Sequence, residues 1–145
     1  MKNNQLMIYG AYGYAGELMV REAVAQGLRP IIAGRDDEKL KPIATELSLE
    51  CRAFGVRNTG SNLQDISVLL NCAGPFSATA EPLARACLAQ QIHYLDITGE
   101  IDIFRKCHAL DEEARQQNVL ILPGAGTDIV PTDCLAAMLK EKLPV

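Results

Sequence analysis

The sequence has no long apolar run, and no stretch approaches the ~18 uninterrupted apolar residues of a membrane span. It has no basic excess either. Fourteen Lys and Arg stand against 18 Asp and Glu, a net charge of −4, so the electropositive footprint of a nucleic-acid binder is missing. No Cys-x-x-Cys pair occurs among the five scattered cysteines Cys51, Cys72, Cys87, Cys107 and Cys134, which argues against zinc; no metal site is expected. Residues 1–5 are polar and run straight into a strand pattern. They lack the apolar stretch and small-residue cleavage site of a signal peptide, so the cytoplasm is the expected compartment. No internal repeat or low-complexity linker divides the chain. Tyr-x-x-x-Lys is absent too, since the fourth residue after Tyr94 is Thr98. No Ser–His or Cys–His pair with a third orienting group appears, which argues against nucleophilic hydrolysis.

What is present fits one domain. The 145 residues, 48% hydrophobic and 22% charged, suffice to bury a core. Short apolar segments predict strands at 6–9, 30–33, 51–54, 67–72, 92–95 and 119–122. Between them, helices are expected at 14–26, from the Asp36 cap through 47, at 80–90 with Pro82 in the first turn, at 100–118, and finally at 132–142. Pro42 is expected to bend or divide the second of these. Residues 57–62 read as a turn and 63–66 as one turn of helix. Ile103, Cys107, Leu110 and Ala114 recur at helical spacing, which predicts the buried face of the long helix. Six alternations of strand and helix imply an α/β fold: a Rossmann-type, doubly wound parallel sheet with helices on both faces.

The first strand enters Gly10-Ala11-Tyr12-Gly13-Tyr14-Ala15-Gly16. In that context each glycine has a physical task. Gly10 permits a tight exit, Gly13 lets backbone N–H groups approach a pyrophosphate, and Gly16 lets the helix sit close to the strand. The helix N-terminus favours the phosphates. The end of the second strand selects the cofactor. Arg35 offers a guanidinium fork to a 2′-phosphate, and Gly34 leaves room beside it, which predicts NADP over NAD. Asp36 and Asp37 are the opposing observation, because an acid at this place holds the ribose hydroxyls of NAD.

The chain resembles the NADP-binding domain of the saccharopine dehydrogenase-like oxidoreductases, including the trans-acting enoyl reductases. The likeness lies in residues 10–16, in Ala33-Gly34-Arg35, in Asn71-Cys72-Ala73-Gly74-Pro75-Phe76, in the run from His93 to Glu100, and in the loop from Gly126 to Asp133. The resemblance implies a dinucleotide site that takes in Gly10, Tyr12, Gly13, Tyr14, Gly16, Arg35, Asn71, Ala73, Gly74 and Pro75. It places Asp96, Thr98, Glu100 and Asp128 at the substrate edge. For Asp96 and Glu100 a structural reading stands beside this one: Asp96 as a loop tie, and Glu100 as an acid favoured at a helix start.

Members of the resembled family run on into a second domain for substrate and subunit contact, and this chain stops at Val145, where that domain is expected. Residues 1–145 are thus expected to be the dinucleotide-binding domain alone, with the second domain absent. Two functions follow as expectations. One is the NADP(H) half of an oxidoreductase. The other is a non-catalytic NADP(H) sensor or assembly module, or an inactive truncated remnant. The strand at 119–122 is expected to be an open edge, and the last helix carries Cys134, Leu135, Met138 and Leu139 at helical spacing. These features predict a homodimer, with sealing of the edge by that helix as the alternative.

Overall fold

The computed structural model describes residues 5–126 and 129–143. Its elements run β1 (Leu6–Tyr9), α1 (Tyr14–Ala25), β2 (Ile31–Gly34), α2 (Asp37–Leu47), β3 (Cys51–Ala53), β4 (Val68–Asn71), α3 (Phe76–Ala89), β5 (His93–Asp96), α4 (Ile101–His108), α5 (Asp111–Gln116), β6 (Ile121–Leu122) and α6 (Val130–Lys142). The strands form one sheet in the order β3-β2-β1-β4-β5-β6, and every pairing is parallel. In register, Ile8 lies between Ile32 and Leu70, and Leu70 meets Leu95.

The two-residue period of the strands sorts the core into two layers. Met7, Ile31 and Leu69 point to the face covered by Leu83, Cys87 and Leu88 of α3 and by Ile103 and Cys107 of α4. Ile8 and Ile32 point to the other face, where Val20 of α1 and Leu40 and Ile43 of α2 cover them. This is the doubly wound sheet expected from the alternation of elements.

Four local features depart from expectation. Pro42 sits inside α2 without dividing it. The carbonyl that a residue-42 N–H would have met belongs to exposed Glu38, so solvent can satisfy it. Helix α3 starts at Phe76 rather than residue 80, which puts Pro82 in its interior. The carbonyl left without its donor there belongs to exposed Ala78. The single helix expected over 100–118 is two, α4 and α5. Leu110 N–H bonds to Cys107 O, a tightened turn between them, yet Ile103, Cys107, Leu110 and Ala114 are all buried as their spacing predicts. The helical turn expected at 63–66 is a 3-10 turn over Gly60–Leu63. The last helix buries none of its described residues; Leu135, Met138 and Leu139 are 56%, 57% and 53% exposed. No helix among the described residues is long and apolar enough to cross a membrane.

Candidate dinucleotide site

The glycine turn is shaped by contacts that leave no space for a side chain. Gly10 takes φ +84, and a Cβ there would stand 2.8 Å from the Ala73 backbone nitrogen. Its N–H and that of Ala11 both donate to Ala33 O, at 2.7 and 3.1 Å, which fastens the turn to β2. A Cβ on Gly16 would lie 2.1 Å from Gly10 O, so α1 can rest against the turn only with glycine there. Gly13 caps α1 with no side-chain bond. Among the described residues no N-cap side chain takes up the first-turn N–H groups of α1, as an anion site requires. The Tyr14 side chain is 87% exposed and does not line the cleft beside this turn.

A cleft of ≈ 390 Å³ opens above the carboxyl ends of β1, β2 and β4. Gly10, Tyr12, Gly13, Arg35, Ala73, Gly74 and Pro75 all line it. Gly34 and Cys72, both in stretches singled out from the sequence, line it as well; sequence reasoning missed Tyr9, Gly55, Val56, Ala78 and Thr79, which complete the wall. The nearest signal for Gly55 and Val56 was their place directly after the third strand, where loops reach the ligand edge of such sheets. The Gly74–Pro75 peptide is cis. Burial, with the Asp96 carboxylate adding to it, pushes the Cys72 thiol up to about 12, so it lines the cleft as a neutral thiol.

At the β2 end Arg35 is exposed, and among the described residues it forms no ion pair. Asp36 caps α2, accepting from Lys39 N–H at 3.3 Å, as the sequence predicts. The room left by Gly34 is filled from within: the Tyr12 ring comes within 2.6 Å of where a Cβ on Gly34 would stand.

At the other end, Asn71, Asp96 and Thr98 are fully buried. Asn71 lies behind the cleft wall. Its Oδ1 accepts from Ala73 N–H at 2.9 Å, and its Nδ2 donates to Thr79 Oγ1 at 3.2 Å and Tyr94 Oη at 3.1 Å. Tyr94 Oη donates to Asp96 Oδ2 at 2.9 Å. Asp96 Oδ1 accepts from Thr98 N–H at 3.0 Å and Gly124 N–H at 2.9 Å. These bonds join the loops after β4, β5 and β6. Thr98 Oγ1 accepts from Glu100 N–H, and Glu100 Oε1 accepts from Phe76 N–H at 3.2 Å, capping α3 from the neighbouring loop. Thus Asp96 and Thr98 hold the sheet edge together from inside, whereas Glu100 stands on its surface. Asp128 lies outside the described residues.

Comparison with known proteins agrees with this geometry. The sequence profile of the saccharopine dehydrogenase NADP-binding domain matches residues 6–122. A saccharopine dehydrogenase-like oxidoreductase of Rattus norvegicus is 27% identical over 89% of this chain and 35% of its own length. A Mycobacterium tuberculosis protein carrying a trans-acting enoyl reductase name is 27% identical over 88% of this chain and 33% of its own. The chain therefore spans about a third of the length of these relatives. In fold it is similar to the apo saccharopine dehydrogenase (L-Glu forming) of Saccharomyces cerevisiae. The TM-score is 0.73 at 12% identity, covering 87% of this chain and 28% of that one. Since the profile spans the sheet from β1 to β6 with the glycine turn in place, the chain belongs to the saccharopine dehydrogenase NADP-binding domain family.

Proposed function

We propose that this chain is the NADP(H)-holding part of an oxidoreductase, in which the cofactor lies across the cleft with its pyrophosphate on the Gly10–Gly16 turn. The observation that carries this reading is the continuity of the cleft. One groove joins the glycine turn, Arg35 and the Ala73–Pro75 wall. A dinucleotide bound along it has its 2′-phosphate by Arg35 and its nicotinamide by Ala73 and Pro75. Hydride transfer asks the protein mainly to place the nicotinamide against its substrate. The buried bonds from Asn71 to Asp96 fix the wall that would do so, and Glu100 stands on the surface where a substrate would approach.

Calorimetry tests the binding half. NADP(H) is expected to bind more tightly than NAD(H). Arg35→Ala is expected to narrow the gap by about 1–3 kcal/mol, the scale of a charge-assisted hydrogen bond. Equal affinities for the two cofactors would refute the assignment. The catalytic half is tested by NADPH oxidation against enoyl and carbonyl compounds. Tight binding with no turnover on any of them would instead support the second reading, a non-catalytic NADP(H) sensor or assembly module. That reading draws on the internal hydrogen bonds that both Asp96 side-chain oxygens accept.

A further inference from the structure

The start of α2 poses an electrostatic problem for the cofactor assigned above. Asp36, Asp37 and Glu38 follow Arg35 directly, where a 2′-phosphate would bring about two negative charges. The structure pairs each of these acids. Lys41 Nζ lies 2.6 Å from Asp37 Oδ2 and 2.9 Å from Glu38 Oε1. Lys39 Nζ lies 3.7 Å from Asp36 Oδ2, while the backbone N–H of the same lysine occupies Asp36 Oδ1. Asp36 is thereby turned into the helix and away from the role an acid plays towards ribose hydroxyls. The Lys39 ammonium also stands 5.7 Å from the centroid of the Tyr12 ring, and that ring covers Gly34 and lines the cleft beside Arg35.

The geometry points to Lys39 as a second specificity-determining residue for the 2′-phosphate, acting with Arg35 across the Tyr12 ring. It has two effects of one sign. It neutralises Asp36, which would otherwise repel the phosphate and attract a ribose diol, and it adds a second cation to the rim. Tyr12 sets its position. The ring is held between the Gly34 backbone and the ammonium, and a cation over an aromatic face is attracted by the ring quadrupole. Arg35 supplies the directional fork, and Lys39 a point charge. This inference rests on the NADP reading proposed above.

The test is Lys39→Gln in the 145-residue chain. The side chain is 65% exposed, and the cap is made by its backbone N–H, so the fold is expected to survive; circular dichroism verifies that. The probes are NADP+, NAD+, 2′,5′-ADP and 5′-AMP, titrated by calorimetry. Lys39→Gln is expected to weaken NADP+ and 2′,5′-ADP by about tenfold, the scale of one charge-assisted contact. NAD+ and 5′-AMP should change less than about twofold, since they lack the phosphate that such a contact recognises. A second variant, Lys39→Gln with Asp36→Asn, separates the two effects: recovery of part of the lost NADP+ affinity shows that neutralising Asp36 contributes. If wild type prefers NADP+ and Lys39→Gln leaves that preference unchanged, the role of Lys39 is overturned while the phosphate site by Arg35 stands. Wild type with no preference overturns both.

Discussion

Replacing Tyr94 with phenylalanine removes one oxygen from the middle of the buried chain that runs from Asn71 to Asp96. Tyr94 is fully buried, so no solvent stands ready to replace that oxygen. On one side Asp96 Oδ2 loses a donor at 2.9 Å, a bond of the charged class, worth about 1.5–3 kcal/mol. On the other side Asn71 Nδ2 loses an acceptor at 3.1 Å but keeps Thr79 Oγ1. That loss is a fraction of the ~1 kcal/mol of a neutral bond. Phenylalanine regains part of the total because its ring has no hydroxyl to desolvate, and it opens almost no cavity. The net expectation is a destabilisation of about 2–3 kcal/mol, or roughly 5–10 °C in melting temperature for a domain near this size. Urea denaturation followed by circular dichroism measures it. A change below about 0.5 kcal/mol, within the range of ordinary surface substitutions, would refute the claim that this hydroxyl holds the sheet edge together.

The glycines of the turn should separate stability from binding. Gly16→Ala drives a Cβ to 2.1 Å from a backbone oxygen and should cost about 3 kcal/mol, at the upper end of overpacking, in thermal denaturation. Gly13→Val brings its Cβ to 3.3 Å from Gly10 O, a tight contact but a far milder one, and should abolish NADPH binding in calorimetry with a smaller loss of melting temperature than Gly16→Ala; normal binding by this variant would exclude the phosphate cradle. Burial raises the thiols of Cys72 and Cys87 to about 12 and that of Cys107 to about 11, from 9.0. The folded state then keeps protons that the unfolded chain releases, so stability is intact below pH 9 and falls as pH rises above it, approaching about 1.4 kcal/mol per pH unit per thiol. Urea midpoints between pH 7 and 10.5 read this, and a flat profile contradicts it. The open edge at β6 and the exposed apolar side chains of α6 should make the chain dimerise. Sedimentation at several concentrations checks this, and a constant monomer mass counts against it.

The sheet and its two layers were legible in the sequence because strand and helix periods are local. Ile103, Cys107, Leu110 and Ala114 keep one apolar face across the break between α4 and α5, and so concealed the break. The early start of α3 was hidden for the opposite reason: Ser77 and Ala78 are exposed and carry no apolar period, so Pro82 looked like the first turn. Part of the site, Gly10, Gly13, Gly34 and Arg35, could be read from glycine spacing and the end of the second strand, which act through backbone shape and charge, while Tyr12, Ala73, Gly74 and Pro75 came only with the family resemblance. Val56, Ala78 and Thr79 enter the cleft because the segments that follow β3 and β4 reach the same sheet edge as the glycine turn after β1, and no spacing along the chain encodes that meeting. The same holds for the Tyr12 ring over Gly34, where the sequence left an empty space and the fold filled it.

In the strand order, β1 has β2 on one side and β4 on the other. The chain leaves β1 for α1 on one face and leaves β4 for α3 on the opposite face. Two neighbouring strands thus send their continuations apart, and the gap between the departing loops belongs to the winding rather than to any side chain. A hollow of this origin survives changes in its lining. Substitutions at Val56 or Ala78 can therefore retune what the cleft accepts without closing it, which makes those positions the natural place to alter ligand choice by design.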